Sequence, residues 1–428
     1  MHYFLFADKD TTIYQASSSL NAGLDEILEI KKDVSDTGTT VNSSRILMKF
    51  DLSNPDFSKW EDIIPESNDI FSSAKIVNRN QILAIFKKDL IDEVKIYDLK
   101  GNFIDNLQLP DMGSVTFSAQ WDDSNIFYTF TSFLYPSTIF TIDLDNRKSE
   151  LFWTPSLSIK TSNYILKREF YISKDGTKIP MFIVHRSDLE LNGQNPTYLY
   201  GYGGFNANVT PYFSVSRLTW LELGGVLALP AIRGGGEYGE DWHQAGMLDK
   251  KQNVFDDFIS AGEFLIDSGY TSTKKLAIGG GSNGGLLVSA CMLQRPDLFT
   301  VVDCGVPVTD MLRFHKFTIG WAWVPEYGSS ENKEEFETLI KYSPVHNVKK
   351  GINYPSILIS TGDHDDRVVP SHSYKFAAEL QLKNGGDNPM LLRVHDKSGH
   401  GAGKPTNQVI REIAETWAFI LNEIGVSI

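Results

Sequence analysis

Hydrophobic and polar residues alternate in short runs over the first 160 or so residues, as in Arg45 to Phe50 (RILMKF), Val94 to Tyr97 and Ser137 to Ile142. Turns rich in Asp, Asn, Gly and Ser separate them. Period-two runs between such turns predict β-strands, and no long amphipathic helix is visible in this part. Three strand ends repeat, Phe50-Asp51-Leu52, Tyr97-Asp98-Leu99 and Ile142-Asp143-Leu144, with their aspartates 47 and 45 residues apart. That period suits the blades of a β-propeller, roughly 40 to 50 residues each, although an aspartate closing a strand is also an ordinary turn signal.

From Lys167 onward the pattern changes. A hairpin at Asp175-Gly176 leads into MFIVHR, and apolar runs then alternate with helical stretches. The expected strands are Tyr198 to Tyr200, Val226 to Ile232, Leu276 to Ile278, Val301 to Cys304, Ser356 to Ser360 and Leu391 to Val394. Val254, Phe258, Leu265 and Ile266 mark the apolar face of one intervening helix, and Ile410, Ile413, Trp417, Ile420 and Leu421 that of a helix from Val409 to Glu423 that packs on the sheet. The pattern predicts a doubly wound α/β sheet. The expected division is 1–165 for the all-β region and 166–428 for the α/β domain.

Composition narrows the classes of function. The 428 residues suffice for two or three domains, and 41% hydrophobic residues provide for substantial cores. A formal net charge of −14 disfavours nucleic acid and anionic membrane as partners. Two cysteines, Cys291 and Cys304, are too few for a disulfide framework and have no CxxC spacing. The N-terminal MHYFLFADKDTT has no basic region ahead of its short apolar stretch, and no apolar run approaches the roughly 18 residues of a membrane span. These features lead us to expect a soluble cytoplasmic protein.

The richest segment is KKLAIGGGSNGGLLVSA, where an apolar strand runs into Gly280-Gly281-Ser282-Asn283-Gly284 and then a helix. It matches GxSxG, the nucleophile elbow, in which flanking glycines let strand and helix cross tightly. Ser282 is the candidate nucleophile. The same letters fit a dinucleotide-binding GxGxxG, with Asp303 as its acid, so the motif alone does not decide. The order of later residues favours the elbow. After one strand comes Gly362-Asp363-His364-Asp365-Asp366-Arg367, and after the next Ser398-Gly399-His400-Gly401, the Ser, acid, His order of α/β-hydrolases. A dinucleotide fold gives no reason for either feature. His400 is the candidate base among nine histidines, the acid stays open among Asp363, Asp365 and Asp366, and no spaced ligand set supports a metal in the acidic cluster. A second GxGxxG match, Gly234 to Gly239, lacks a following acid and reads as a loop.

The motifs LYGYGGFN, IRGGGEYGEDWH, GGSNGGLL, YSPVHNV, DHDDRVVP and SGHGAGKPT resemble those of the prolyl oligopeptidase family of serine peptidases, from about Lys167 to the C-terminus. The resemblance implies an α/β-hydrolase domain with Ser282 as nucleophile, Asp365 as triad carboxylate and His400 as base. It implies an oxyanion hole formed by the Tyr202 hydroxyl and the backbone N–H of Asn283. It places Phe205, Val308, Trp323, Tyr327 and Val368 around a proline ring, with Trp323 as the stacking face, and Arg367 on a substrate carbonyl; from the residues alone, Trp323 and Tyr327 read as core aromatics and Arg367 as a partner of Asp365 or Asp366. The implied activity is hydrolysis of short proline-containing peptides after proline, without metal or organic cofactor.

The family carries a seven-bladed propeller that screens out folded proteins, preceded by a hydrolase segment. Here about 165 residues at roughly 45 per blade give a partial propeller of three to four blades, and that segment is not seen, so the chain reads as N-terminally incomplete. An open propeller of this kind is expected to expose strand edges and an apolar blade face. Two other functions follow from these departures: a catalytically impaired chain acting as an interaction scaffold, and a hydrolase of small esters or amides.

Overall fold

A computed structural model describes the strands Tyr3–Phe6, Ile13–Ala16, Ile27–Ile30 and Ile46–Lys49 and residues 61–426 apart from 66, 68 and 402. The chain divides into two compact units. One comprises Met1–Thr161 with Thr210–Ser214 and Glu237–Asp241, and the other Ser162–Val209, Val215–Gly236 and Trp242–Ile428. Two short segments of the later sequence thus belong to the first unit, which no composition shift announces.

The first unit contains two complete four-stranded antiparallel meanders, Ile70–Val77, Gln81–Lys88, Ile91–Asp98 and Phe103–Leu107, then Ser114–Ser118, Asn125–Thr131, Thr138–Asp143 and Lys148–Trp153. A three-stranded sheet, Ile27–Ile30, Ile46–Lys49 and Glu61–Ile64, and a two-stranded one precede them. Such meanders are the blades of a propeller. Asp98 and Asp143 end the third strand of their respective meanders and perform the same task. Asp98 accepts the N–H groups of Lys100 and Asn102 and the Asn102 side chain; Asp143 accepts those of Asp145 and Asn146 and the Asn146 side chain. The repeat and the turn signal are therefore one feature, a carboxylate that closes the last hairpin of both of these meanders. The third instance, Phe50-Asp51-Leu52, lies outside the described residues. On the outer strand Leu151, Phe152 and Trp153 are exposed.

The second unit is built on one eight-stranded sheet: β1 Tyr164–Ile172, β2 Lys178–Arg186, β3 Thr197–Tyr200, β4 Val226–Pro230, β5 Leu276–Gly281, β6 Val301–Gly305, β7 Ser356–Gly362 and β8 Met390–His395. Its spatial order is β1-β2-β4-β3-β5-β6-β7-β8, antiparallel through β1, β2 and β4 and parallel beyond. Six strands read from apolar runs are here, several longer than expected because their last residues are glycines or polar groups at the chemical edge of the sheet. Leu199 joins the core with Phe258 and Leu287, whereas the adjacent Tyr198 meets Trp220 and Trp417. Helices therefore cover both faces, as strand alternation requires.

The helix Gln252–Asp267 buries Val254, Phe258 and Leu265, with Ile266 at its margin. The terminal helix Thr406–Ile424 buries Trp417, Ile420, Leu421 and Ile424, but Ile410 is 60% exposed, against expectation. Its first turns face polar partners instead: Gln408 donates to Ser398 Oγ, and Lys404 pairs with Glu412. Cys291 and Cys304 are buried free thiols, and among the described residues no helix is long and apolar enough to cross a membrane.

Candidate active site

The segments that follow the carboxyl ends of five strands, β3, β5, β6, β7 and β8, carry the residues singled out by sequence. Parallel sheets present their ligand sites at this edge, where the strand order reverses around β3.

The turn after β5 is strained. Ser282 has φ 60° and ψ −117°, a conformation few non-glycine residues adopt, between β5 and the helix Asn283–Gln294. Backbone bonds hold it: Ser282 N donates to Gly305 O (2.9 Å), and Leu286 N to Ser282 O (3.1 Å). A Cβ at Gly280 would lie 2.3 Å from Gly284 O, and one at Gly284 2.6 Å from Gly201 O. The motif glycines are thus required by close approach, as a nucleophile elbow demands. The competing dinucleotide reading loses its acid, because Asp303 on β6 accepts a hydrogen bond from Tyr198 (2.8 Å) and burial pushes its carboxyl up to about 6. Gly234 to Gly239 form a loop, as expected.

The loops after β7 and β8 are laced together. Ser398 N donates to Asp363 Oδ1 and His364 N to Ser398 O. This lacing brings the Asp365 carboxylate to His400, with Oδ2 2.7 Å from Nδ1. A carboxylate only accepts, so Nδ1 carries the proton and Nε2 is left as the acceptor. Asp365 Oδ1 meanwhile takes the N–H groups of Arg367 (3.0 Å) and Val368 (2.8 Å), and its side chain is fully buried. The other two acids have different surroundings. Asp363 pairs with the exposed His364, which with the loop N–H groups holds its carboxyl down at about 2, and Asp366 is exposed. Among the described residues Ser282 and His400 share no hydrogen bond; such bonds often tighten only on substrate binding.

Tyr202 lies on the loop after β3. Its hydroxyl has Ser282 beside it, and burial, opposed by that neighbour and aided by the Glu326 charge, raises it above the usual phenol range. Asn283 opens the helix after the elbow, so its backbone N–H has no intrahelical acceptor. Its side chain ties the loops together, Nδ2 donating to Tyr202 O (2.5 Å) and Oδ1 accepting from Tyr327 (2.8 Å).

Tyr327 meets Phe205 edge to face at 5.4 Å, and Phe314 backs both Tyr327 and Trp323. Val308, Tyr327 and Val368 are buried, while Phe205 and Trp323 are partly exposed. The Arg367 side chain is exposed and forms no ion pair with Asp365 or Asp366 among the described residues; its charge acts on Tyr202.

Sequence reasoning missed a buried group beneath this site. Lys251 donates to Gly203 O (2.8 Å) and Asn283 Oδ1 (3.4 Å) and pairs with Glu326 (3.5 Å), whose other oxygen meets His243 (2.7 Å). Lys251 stands in the segment DKKQN, where nothing distinguishes it from a solvated lysine.

An eight-stranded, mostly parallel sheet with a strained serine turn and an acid and a histidine on successive strand ends defines an α/β-hydrolase fold. The Prolyl oligopeptidase family model matches residues 211–427, and the model for the N-terminal beta-propeller domain of prolyl oligopeptidase matches 35–155. The chain belongs to the prolyl oligopeptidase family. It is 46% identical over 382 residues to a prolyl endopeptidase of Elizabethkingia meningoseptica, covering 89% of this chain and 54% of that protein. A prolyl endopeptidase of Dictyostelium discoideum is 45% identical over 377 residues, covering 86% and 50%. Among solved structures, prolyl oligopeptidase B of Galerina marginata bound to a 35mer hydrolysis and macrocyclization substrate superposes with a TM-score of 0.88 at 33% identity, covering all of this chain and 64% of that one. A structure from a study of two prolyl endopeptidases gives 0.86 at 39% identity, covering 97% and 64%. The chain spans about half the length of the curated relatives it matches.

Proposed function

We propose that the chain is a serine endopeptidase that hydrolyses short peptides on the carboxyl side of proline, without metal or organic cofactor, through an acyl-enzyme intermediate. The observation that carries this reading is the Asp365–His400 contact at the strand ends beside the strained Ser282 turn, in a chain whose relatives are named prolyl endopeptidases. His400 Nε2 takes the Ser282 proton as Oγ attacks the carbonyl carbon after proline, and Asp365 holds the imidazolium that forms. The C–N bond breaks as His400 returns the proton to the leaving amine; water then repeats the sequence to release the carboxylic acid.

The Tyr202 hydroxyl and the Asn283 N–H receive the oxyanion, a contribution of roughly 3 to 4 kcal/mol per donor. The position of the Tyr202 hydroxyl beside Ser282 supports this role, and burial only raises a phenol that already keeps its proton at neutral pH. Phe205, Val308, Trp323, Tyr327 and Val368 enclose the proline ring, and Arg367 bonds a substrate carbonyl. Aromatic and branched apolar walls without an acidic residue suit a flat imino acid ring and not a lysine or arginine side chain. In the same reading residues 1–165 are the partial-propeller region and 166–428 the catalytic domain. Two free thiols support a reducing, cytoplasmic location.

The test is hydrolysis of a chromogenic peptide amide ending in proline, beside alanine and lysine controls and a Ser282→Ala variant. Proline-selective turnover that falls by about 10⁴-fold or more in the variant is expected. Turnover indifferent to Ser282, or none from a folded preparation whose Ser282 also resists a phosphonylating probe, overturns the reading.

A further inference from the structure

Lys251 is a buried charge with no part in the proton transfers above. Its side chain is 1% exposed, at the boundary between the turn Leu248–Lys250 and the helix Gln252–Asp267. A buried ammonium is costly unless every N–H finds an acceptor and the charge a counter-ion. Here two acceptors and a counter-ion from three segments converge on it: the Gly203 carbonyl on the loop after β3, Asn283 Oδ1 at the start of the helix after the elbow, and, as an ion pair at 3.5 Å, the Glu326 carboxylate on the helix Val324–Tyr327. The ammonium also lies 5.3 Å from the centre of the Tyr327 ring. His243, on the helix Glu240–Gln244, holds the far oxygen of Glu326.

Two of these acceptors adjoin the groups read as oxyanion donors. Gly203 follows Tyr202 in sequence, with φ +65°, and a Cβ there would meet Val254 at 2.4 Å, so this position takes only glycine and the loop packs closely on the helix Gln252–Asp267. Asn283 supplies the second donor from its own backbone and clamps the Tyr202 carbonyl with its side chain.

We infer that Lys251 is a positioning residue for the oxyanion donors: by holding the Gly203 carbonyl and the Asn283 side chain together, with Glu326 and His243 as its anchor, it sets the separation between the Tyr202 hydroxyl and the Asn283 N–H. This inference rests on the reading of Tyr202 and Asn283 as donors. The charged and titratable groups around Lys251 are Glu326 and Tyr327 from one helix, His243 from a second, and Tyr202 from the loop; Tyr342 on the helix Lys333–Tyr342 lies near Glu326. Burial pushes the ammonium down to about 8, with Glu326 opposing. A neutral amine keeps two N–H groups for the Gly203 carbonyl and Asn283 Oδ1, but its ion pair with Glu326, the anchor of the side chain, ends as pH rises through that value.

The experiment compares kcat and KM on the proline amide, and the rate of Ser282 phosphonylation, for the wild type, Lys251→Met, Tyr202→Phe and their double variant. The expected result is a kcat lowered on the order of 10- to 100-fold in Lys251→Met with KM changed less than about threefold, and a double variant little worse than the weaker single one. If removing the amine leaves Glu326 with His243 as its remaining ion-pair partner and the protein unfolded, Lys251→Met with Glu326→Gln removes both charges and is read in the same way. In the wild type the phosphonylation rate should fall as pH rises through about 8, with that fall absent in the Met variant. Additive effects in the double variant, or a KM that rises as much as kcat falls, overturn the inference. Loss of rate in Tyr202→Phe with none in Lys251→Met overturns the inference alone; no loss in Tyr202→Phe overturns the oxyanion reading beneath it.

Discussion

Ser282 and His372 are opposite cases of what one residue's neighbours in sequence disclose. The elbow at Ser282 was legible because its requirement is mostly local: the glycine at 280 abuts the one at 284, and both spacings are written in the motif. His372 belongs to the helix Ser371–Lys383, yet its Nδ1 accepts the N–H groups of Thr309 (3.2 Å) and Asp310 (3.0 Å), over sixty residues away, on the loop that carries Val308. The ring must therefore be neutral, with its proton on Nε2. Burial, aided by Lys375, pushes its pKa down to about 4. A folded value below the ordinary 6.5 means that the stability it supports is complete above pH 6.5 and is lost as pH falls from there toward 4, by up to about 3 kcal/mol. Unfolding of His372→Asn should lose that part of the pH dependence. An equal slope in variant and wild type from pH 6.5 to 4 would assign it to other groups.

Among the elements, period and turn chemistry foretold the strands better than the faces of helices. The Asp98 and Asp143 hairpins could be found because the aspartate bonds residues two to four positions onward. The terminal helix shows the limit. Its apolar stripe is continuous from Ile410 to Leu421, but the buried portion begins at Trp417, which stacks on Trp220 at 5.0 Å and meets Tyr198 edge-on. Trp220 lies on the helix Val215–Glu222, which sequence reasoning did not identify. Trp417→Ala should cost about 3 to 5 kcal/mol in denaturant unfolding, as large-to-small core changes do. Ile410→Ser should stay within about 0.5 kcal/mol, and a comparable loss at both sites would show that the first turns are also packed.

Over the whole chain the two cysteines provide a compact test. Cys291 and Cys304 are both fully buried, and burial raises both thiols, Cys304 to about 12. The thiolate is the reactive form, so neither should react with a thiol reagent until the second unit unfolds, when both should, and reductant should leave the melting temperature unchanged. Labelling of either thiol in the native protein would require opening of the core around the helix Asn283–Gln294 and β6. At this scale the two units also interleave in sequence, with Thr210–Ser214 and Glu237–Asp241 belonging to the first. A single boundary near residue 165 describes the order of the chain and not the assignment of those segments.

What the sequence determined alone is what short-range chemistry decides: the strand alternation of the blades, their closing aspartates, the glycine-flanked turn at Ser282 and the order serine, acid, histidine. Tertiary structure decided whatever depends on groups meeting across the chain. Of three neighbouring acids it brought the Asp365 carboxylate to His400, while Asp363 pairs with His364 and Asp366 is exposed. It occupied Asp303 with the Tyr198 hydroxyl and so removed the dinucleotide alternative. It also made a lysine that reads as solvated into a buried tie between the loop of Tyr202 and the helix of Asn283. The reason is the same in each case: a side chain's role depends on its dielectric and its partners, and both are set by segments that the sequence leaves far apart.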